Sequence, residues 1–294
     1  MANSISYASK YTGELDKMIV QSSKTGFLAD NVFKAKFMGS RTVYLPELEL
    51  DGLGNYSRTE GYSKGDTTLK YTPYTLQQER SKQLFIDAQD ADESGIPDLV
   101  GNTVGEFTRT KVVPEMDAYN ISALYAIANA NGGVIAYDNA KAVAQLLEAI
   151  NKAEEAMEYD GSTSLVAMVS PTLYNLLQTS AELQRFITAS EFKQGEINVK
   201  VKNLNGCTII PVAASRMKSA FDFSDNGFAP ANEAKAVHAL VLPKDSASFV
   251  KKVDKIDVIS PKDVEDYDAY KINYRAYYDL IVKSSRKKTI FAIA

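Results

Sequence analysis

The sequence predicts an α+β protein assembled from a projecting β ribbon, one long helix, a mixed α/β centre and a long closing strand. Three observations carry this reading. Residues 42–87 form two extended arms around a polar tip, residues 97–131 place apolar side chains at three- and four-residue steps, and residues 270–282 alternate with period two.

The elements follow in chain order. Residues 2–38 are an N-terminal arm, with Leu15, Met18, Ile19 and Val20 at roughly helical spacing and Gly13 and Gly26 breaking the pattern. This arm is read as extended, with a turn or two of helix, lying against something else. The outgoing arm of the ribbon is residues 42–50. Its tip, residues 51–65, holds Gly52, Gly54, Asn55, Ser57, Gly61, Ser63 and Gly65, all turn formers. The return arm runs from Asp66 through Leu69, Tyr71, Tyr74 and Leu76 towards Phe85. Even the shorter arm spans about 30 Å at strand rise, against a radius of gyration of roughly 19 Å for a compact chain of this length. An isolated two-stranded ribbon is marginal in water. A ribbon that projects therefore needs another molecule to cover it.

The long helix carries Val100, Val104, Phe107, Val112, Met116, Tyr119, Ala123, Ile127 and Ala130 along one face, and Pro114 predicts a kink inside it. Gly132 and Gly133 end it. Asp138 or Asn139 is expected to cap a second helix over residues 140–157. The apolar run 165–169 reads as a buried strand, and Ser170-Pro171 opens a helix over 172–177. Residues 182–187 add a helical piece. A hairpin follows, with strands 197–202 and 208–212 around Asn205-Gly206. Residues 222–232 read as loop, 236–242 as a buried strand stopped by Pro243, 255–259 as a short strand, and 289–293 as the last one.

Bulk properties exclude several function classes. The 294 residues carry a net charge of −4, without the basic excess of a nucleic-acid-coating protein. Cys207 is the single cysteine, so neither a disulfide framework nor a thiolate metal site is expected. No secretory signal follows Met1 and no apolar run approaches the ~20 residues of a membrane span, so cytoplasmic synthesis and no membrane partner are expected. His238 is the only histidine and sits in a strand pattern, where it reads as packed. A catalytic triad would have to use it, and no Gly-x-Ser-x-Gly elbow presents a serine. Asp87, Asp90, Asp92 and Glu93 do not match calcium-loop spacing and read as a solvated turn. Arg286-Lys287-Lys288 and Lys251-Lys252 read as solvated surface, or as an intermolecular salt bridge or weak nucleic-acid contact. Expected, then, are no catalytic residues, no cofactor and no metal. The residues expected to make contacts between subunits are Tyr44, Leu48, Leu50, Lys64 and Tyr71 on the ribbon, with Lys64 read either as meeting an acidic patch on a neighbour or as a free solubilising lysine.

The segment Gly105-Glu-Phe-Thr-Arg-Thr-Lys-Val-Val-Pro-Glu-Met-Asp-Ala-Tyr119 resembles the spine helix of tailed-bacteriophage major capsid proteins of the Hong Kong 97 type. The N-terminal arm, the ribbon with its Gly/Ser tip and the closing segment 270–294 are similar to the rest of that plan. The resemblance implies an N-terminal arm over 1–38 and an extended hairpin, the E-loop, over 39–87 that reaches over the neighbouring subunit. It further implies a P-domain over 88–133 and 243–284, and a mixed α/β A-domain over 134–242 and 285–294. It implies a structural, non-enzymatic protein that self-assembles as hexamers and pentamers into the icosahedral shell of a virion. Its partners would be a portal protein, a separate scaffolding protein (only a short arm precedes the ribbon) and packaged double-stranded DNA, bound non-specifically. No local motif matches a covalent lysine–asparagine cross-link. Two alternatives stand beside this: an encapsulin-like nanocompartment shell of the same fold, and an α/β enzyme with a site in the middle segment.

Overall fold

The computed structural model describes residues 23–29, 36–38, 42–56, 58–59, 61–93, 99–159, 164–180, 187–194, 197–204, 206–224, 227–264 and 268–294. Most of the N-terminal arm and the helical piece expected at 182–186 lie outside these residues. Ile187 opens a strand instead.

Strands β1 (Lys36–Met38), β2 (Thr42–Leu50) and β3 (Thr67–Thr75) form an antiparallel sheet in that order. The β2–β3 ladder is unbroken from Thr42 opposite Thr75 to Leu50 opposite Thr67. The predicted ribbon is therefore present, but it ends sooner than expected. After Leu76-Gln77 the chain leaves it, and β4 (Gln78–Asp87) pairs with a strand from the far end of the sequence. Period-two patterning shows that 78–87 is extended without showing which strand it pairs with. Asp90, Asp92 and Glu93 fall in α1 (Ala88–Glu93), a short helix where a turn was expected.

The long helix is α2 (Leu99–Phe107) and α3 (Val113–Ala130), joined by one π-helical turn, Thr108–Val112. The irregularity lies just before Pro114 rather than at it. Proline has no N–H for the Thr110 carbonyl, and the Val113 N–H reaches back to Thr108 O. The hydroxyls of Thr108 and Thr110 donate to the carbonyls of Val104 and Glu106 at 2.8 and 2.7 Å. The helix ends where Gly133 N–H donates to Ala128 O at 2.8 Å. Gly133 is also a close approach, since a Cβ there would run into the Ile290 carbonyl oxygen.

Beyond the helix come β5 (Val134–Ile135), α4 (Ala142–Ala156), β6 (Leu165–Val169), α5 (Pro171–Thr179), β7 (Ile187–Gln194), β8 (Ile197–Leu204) and β9 (Cys207–Pro211). Neither Asp138 nor Asn139 caps α4; Lys141 holds that position without a side-chain bond. Gln145 reaches back instead, accepting from Asp138 N–H and donating to Ala136 O. Ser170-Pro171 opens α5 as expected, and Ser170 caps it by accepting from Leu173 N–H. The stretch read as loop at 222–232 contains a small hairpin, β10 (Phe221–Ser224) and β11 (Gly227–Pro230). Strand β12 (Ala239–Pro243) leads into β13 (Ala247–Ile259), β14 (Ala269–Val282) and, past a 3-10 turn at Ser284–Thr289, β15 (Phe291–Ile293). The expected short strand at 255–259 is thus 13 residues long. A register shift between Lys251 and Val253 interrupts its alternation, which hid its first half.

Two larger sheets organise the body. The seven-stranded sheet runs β5-β15-β12-β6-β9-β8-β7. Strand β6 is buried on both faces: Leu165, Ala167 and Val169 pack in one core with Leu146, Ile150 and Leu173, while Val166 and Met168 pack in the other with Ile121 and Leu124 of the long helix. The second sheet runs β13-β14-β4. Ile272, Tyr274, Ala276, Tyr278, Leu280 and Val282 of β14 share the long helix's core. Substituting Gly133→Ala should lower stability by about 1–3 kcal/mol, as overpacking against immobile backbone does. Urea denaturation of the isolated chain checks this.

Candidate assembly surface

The ribbon is attached through its foot. Val43, Leu45 and Leu76 are buried together with Tyr277 and Ile281 of β14, with Tyr74 and Val250 alongside. Tyr277 and Ile281 are odd-numbered, so they lie on the face of β14 opposite Tyr274 and Tyr278. The long helix takes one face of this strand and the ribbon takes the other.

Polar groups hold the elbow between ribbon and body. Tyr277 OH donates to Leu76 O at 3.2 Å, and Gln77 N–H donates to the Asp279 carboxylate at 3.0 Å. Asp279 also accepts from Tyr119 OH at 2.6 Å and from Leu280 N–H at 2.7 Å. Burial pushes the Asp279 carboxyl above its ordinary range against these bonds, and burial beside that carboxylate pushes the Tyr119 phenol upward too. Half-way along the ribbon, Glu47 accepts from Ser284 Oγ at 2.7 Å and from Thr72 Oγ1 at 2.8 Å. The Ser284 bond, then the Thr72 bond, hold its carboxyl below the usual glutamate range.

Past Glu47 the ribbon stands in solvent. Leu50 is 66% exposed, and at the tip Tyr56 and Tyr62 are 64% and 88% exposed, with Leu53 fully so. The described residues of the tip nonetheless make contacts with one another. Asp66 N–H donates to Asp51 Oδ2 at 2.7 Å, and the rings of Tyr56 and Tyr62 meet edge to face at 5.3 Å. Of the residues predicted for intersubunit contact, Leu50, Lys64 and Tyr71 are exposed and Tyr44 is half-buried at the base. The side chain of Leu48 lies outside the described residues. Leu53, Tyr56 and Tyr62 went unnamed in the sequence reading, because a Gly/Ser-rich tip reads as flexible; two tyrosines and a leucine in a polar turn were the available signal.

Two further polar junctions tie the body together. Asp117, fully buried on α3, accepts from Ser23 Oγ (2.6 Å), Thr25 Oγ1 (2.7 Å), Lys24 N–H (3.0 Å), Thr25 N–H (3.1 Å) and Arg216 Nη1 (2.8 Å). One carboxylate thus joins the N-terminal arm, the long helix and the loop after β9. Arg80 of β4 pairs with Glu115 at 2.6 Å and donates to Ser224 O at 2.7 Å, linking β4, α3 and the β10–β11 hairpin. A charged residue in the apolar stripe of a helix is the signal that marks Asp117.

The remaining candidates sit apart from the ribbon tip. His238 stacks on Tyr137 with ring centroids 3.6 Å apart, and burial, then Lys218, push its imidazole below the ordinary range. Cys207 is buried, which pushes its thiol up. Lys283 and Arg286 both approach Asp245 at 3.5 Å, and Lys251 lies 5.9 Å over the Phe249 ring. Among the described residues no three His, Cys, Asp or Glu side chains group as metal ligands, and no helix is long and apolar enough to cross a membrane.

Comparison with solved structures identifies the architecture. The mature capsid of bacteriophage PhiM1 superposes with a TM-score of 0.57 at 14% identity, over 86% of this chain and 82% of that one. The capsid of the cyanophage P-SCSP1u gives 0.58 at 16% identity, over 88% and 84%. The fold is that of a Hong Kong 97-type capsid subunit. A virus-like particle from Pyrococcus furiosus shares this capsid-type fold at a TM-score of 0.54 and 9% identity, over 98% of this chain and 99% of that one. No protein-family model matches the sequence, and comparison with curated proteins finds no match.

Two outcomes test the anchors of this capsid-type fold. Glu47 has a folded pKa below its unfolded one, so its contribution is full above the unfolded value, about 4.3, and is lost as pH falls through the folded value. The unfolding midpoint of the isolated chain should therefore drop below about pH 4.5 less steeply in Glu47→Gln than in the unaltered chain. Asp117→Ala strands the Arg216 charge and several buried donors. It should cost about 3–5 kcal/mol in urea denaturation, and Asp117→Asn less.

Proposed function

We propose that this chain is the major capsid protein of a tailed bacteriophage, a non-enzymatic subunit that self-associates into an icosahedral shell around genomic DNA. One observation carries the reading: a chain with a capsid-type fold extends a ribbon whose tip leaves Leu53, Tyr56 and Tyr62 in solvent. Such a surface is stable in a repeated lattice, where each modest contact is multiplied around a closed shell. In this reading the ribbon is the E-loop, the β13-β14-β4 sheet and the long helix form the P-domain, and the seven-stranded sheet with its helices forms the A-domain. The N-terminal arm leaves from the Asp117 junction. A portal protein, a separate scaffolding protein and packaged double-stranded DNA are the partners this function calls for, with the virion as its place and the host bacterial cytoplasm as the site of synthesis.

A nanocompartment shell is the second reading, favoured by the near-complete mutual coverage with the Pyrococcus furiosus particle. Contents separate the two: DNA behind a single portal vertex belongs to a phage head, an enclosed enzyme to a compartment.

Electron microscopy of the expressed chain tests shell formation directly, and closed particles of megadalton mass are the expected result. Deleting residues 52–65 should leave a folded, soluble protomer, by circular dichroism and sedimentation, that closes no shells. Normal shells from that deletion would count against the proposal.

A further inference from the structure

A cleft of about 260 Å³ opens between β4 and the π-helical turn of the long helix. Leu84, Phe107, Met116 and Tyr274 form its apolar walls, and Lys82, Lys111 and Glu115 stand at its rim. It falls below the ~300–1,000 Å³ of sites for drug-sized molecules. It suits a single aromatic side chain with a polar end, which buries its ring and keeps its hydroxyl among charged groups.

We infer that this cleft receives the Tyr62 ring from the ribbon tip of a second copy of the chain. The inference rests on the shell reading and names the receptor within it. Three observations carry it. Among the described residues Tyr62 is the most exposed tyrosine, and its contact with Tyr56 and the Asp51–Asp66 bond across the tip restrict its ring. That preorganisation cuts the ordering cost of docking. The cleft walls include Tyr274, on the helix-facing side of β14, whereas the ribbon foot covers Tyr277 and Ile281 on the other side. The ribbon's root and the cleft therefore lie on opposite faces of one sheet, and the exposure of Tyr62 shows that it does not fill the cleft of its own chain. Finally, Lys82 and Lys111 are exposed at the rim, where they can meet a phenol oxygen and the tip carboxylates Asp51 and Asp66. A knob and a hole on different patches of one chain make a head-to-tail contact, which closes into rings when the rotation permits.

The test is a cross-link in trans. Chains carrying Tyr62→Cys are mixed with chains carrying Lys82→Cys, assembled and oxidised; buried Cys207 does not compete. The expected result is a mixed dimer on a non-reducing gel, absent when Tyr159→Cys, also exposed, replaces Tyr62→Cys. Tyr62→Ala should raise the protein concentration needed for assembly about tenfold, as loss of an aromatic hot spot does, while Tyr62→Phe stays close to the unaltered chain. If shells form but the Tyr62 cross-link is no stronger than the Tyr159 control, or Tyr62→Ala assembles normally, the docking site is wrong and the shell reading stands. If the unaltered chain forms no particles or capsomers with its neighbouring gene products, both fail.

Discussion

The two-sided burial of β14 is the constraint on which the rest depends. A 14-residue strand at the centre of a three-stranded sheet presents two faces, and each is given to a different element. Its even-numbered side chains enter the core under the long helix, and Tyr277 and Ile281 close over the ribbon foot. Among the described residues the ribbon's apolar attachment is this foot, with Val250 of β13 alongside. Its direction, and with it everything its tip can touch, follows from how Val43, Leu45 and Leu76 seat on that second face.

Apolar packing sets these contacts and polar groups set their geometry. Hydrophobic burial is non-directional, so a foot held only by Val43, Leu45 and Leu76 could pivot. The bonds from Gln77 to Asp279 and from Ser284 to Glu47 fix its angle, with Tyr119 holding the Asp279 carboxylate in place. Asp117 plays the corresponding part where the arm, the long helix and the body meet, with five acceptor bonds on one carboxylate. Buried ion pairs contribute little net stability and much specificity of arrangement. That suits the proposed shell role, in which neighbours must find the same geometry in every copy.

The π-helical turn belongs to the same logic. Pro114 removes a donor, the helix absorbs this with one wide turn, and that turn borders the cleft beside β4. A sequence-level expectation of a kink was close to the place and missed the form, since proline specifies which bond is lost and not how neighbouring carbonyls are served. Likewise Asp138 had the chemistry of a cap, but its carboxylate accepts from Ala140 N–H ahead of the helix, and Gln145 ties the helix back to the preceding loop.

By itself, the sequence determined what depends on local pattern: the nine-residue outgoing arm of the hairpin, the long helix and its C-terminal end, the buried strand at Leu165–Val169, the helix opened by Ser170-Pro171 and the long alternation of β14. These are set by side-chain period, turn chemistry and capping, each written within a few residues. The tertiary structure alone decided which strands pair and which faces meet. Strand β4 leaves the ribbon for a partner some 190 residues away, as Gln83 bonding Asn273 shows, β13 hides its length behind a bulge, and a Gly-rich tip brings two exposed tyrosines edge to face. Period-two alternation describes one strand at a time, and the choice of partner is made by burial summed over the whole chain.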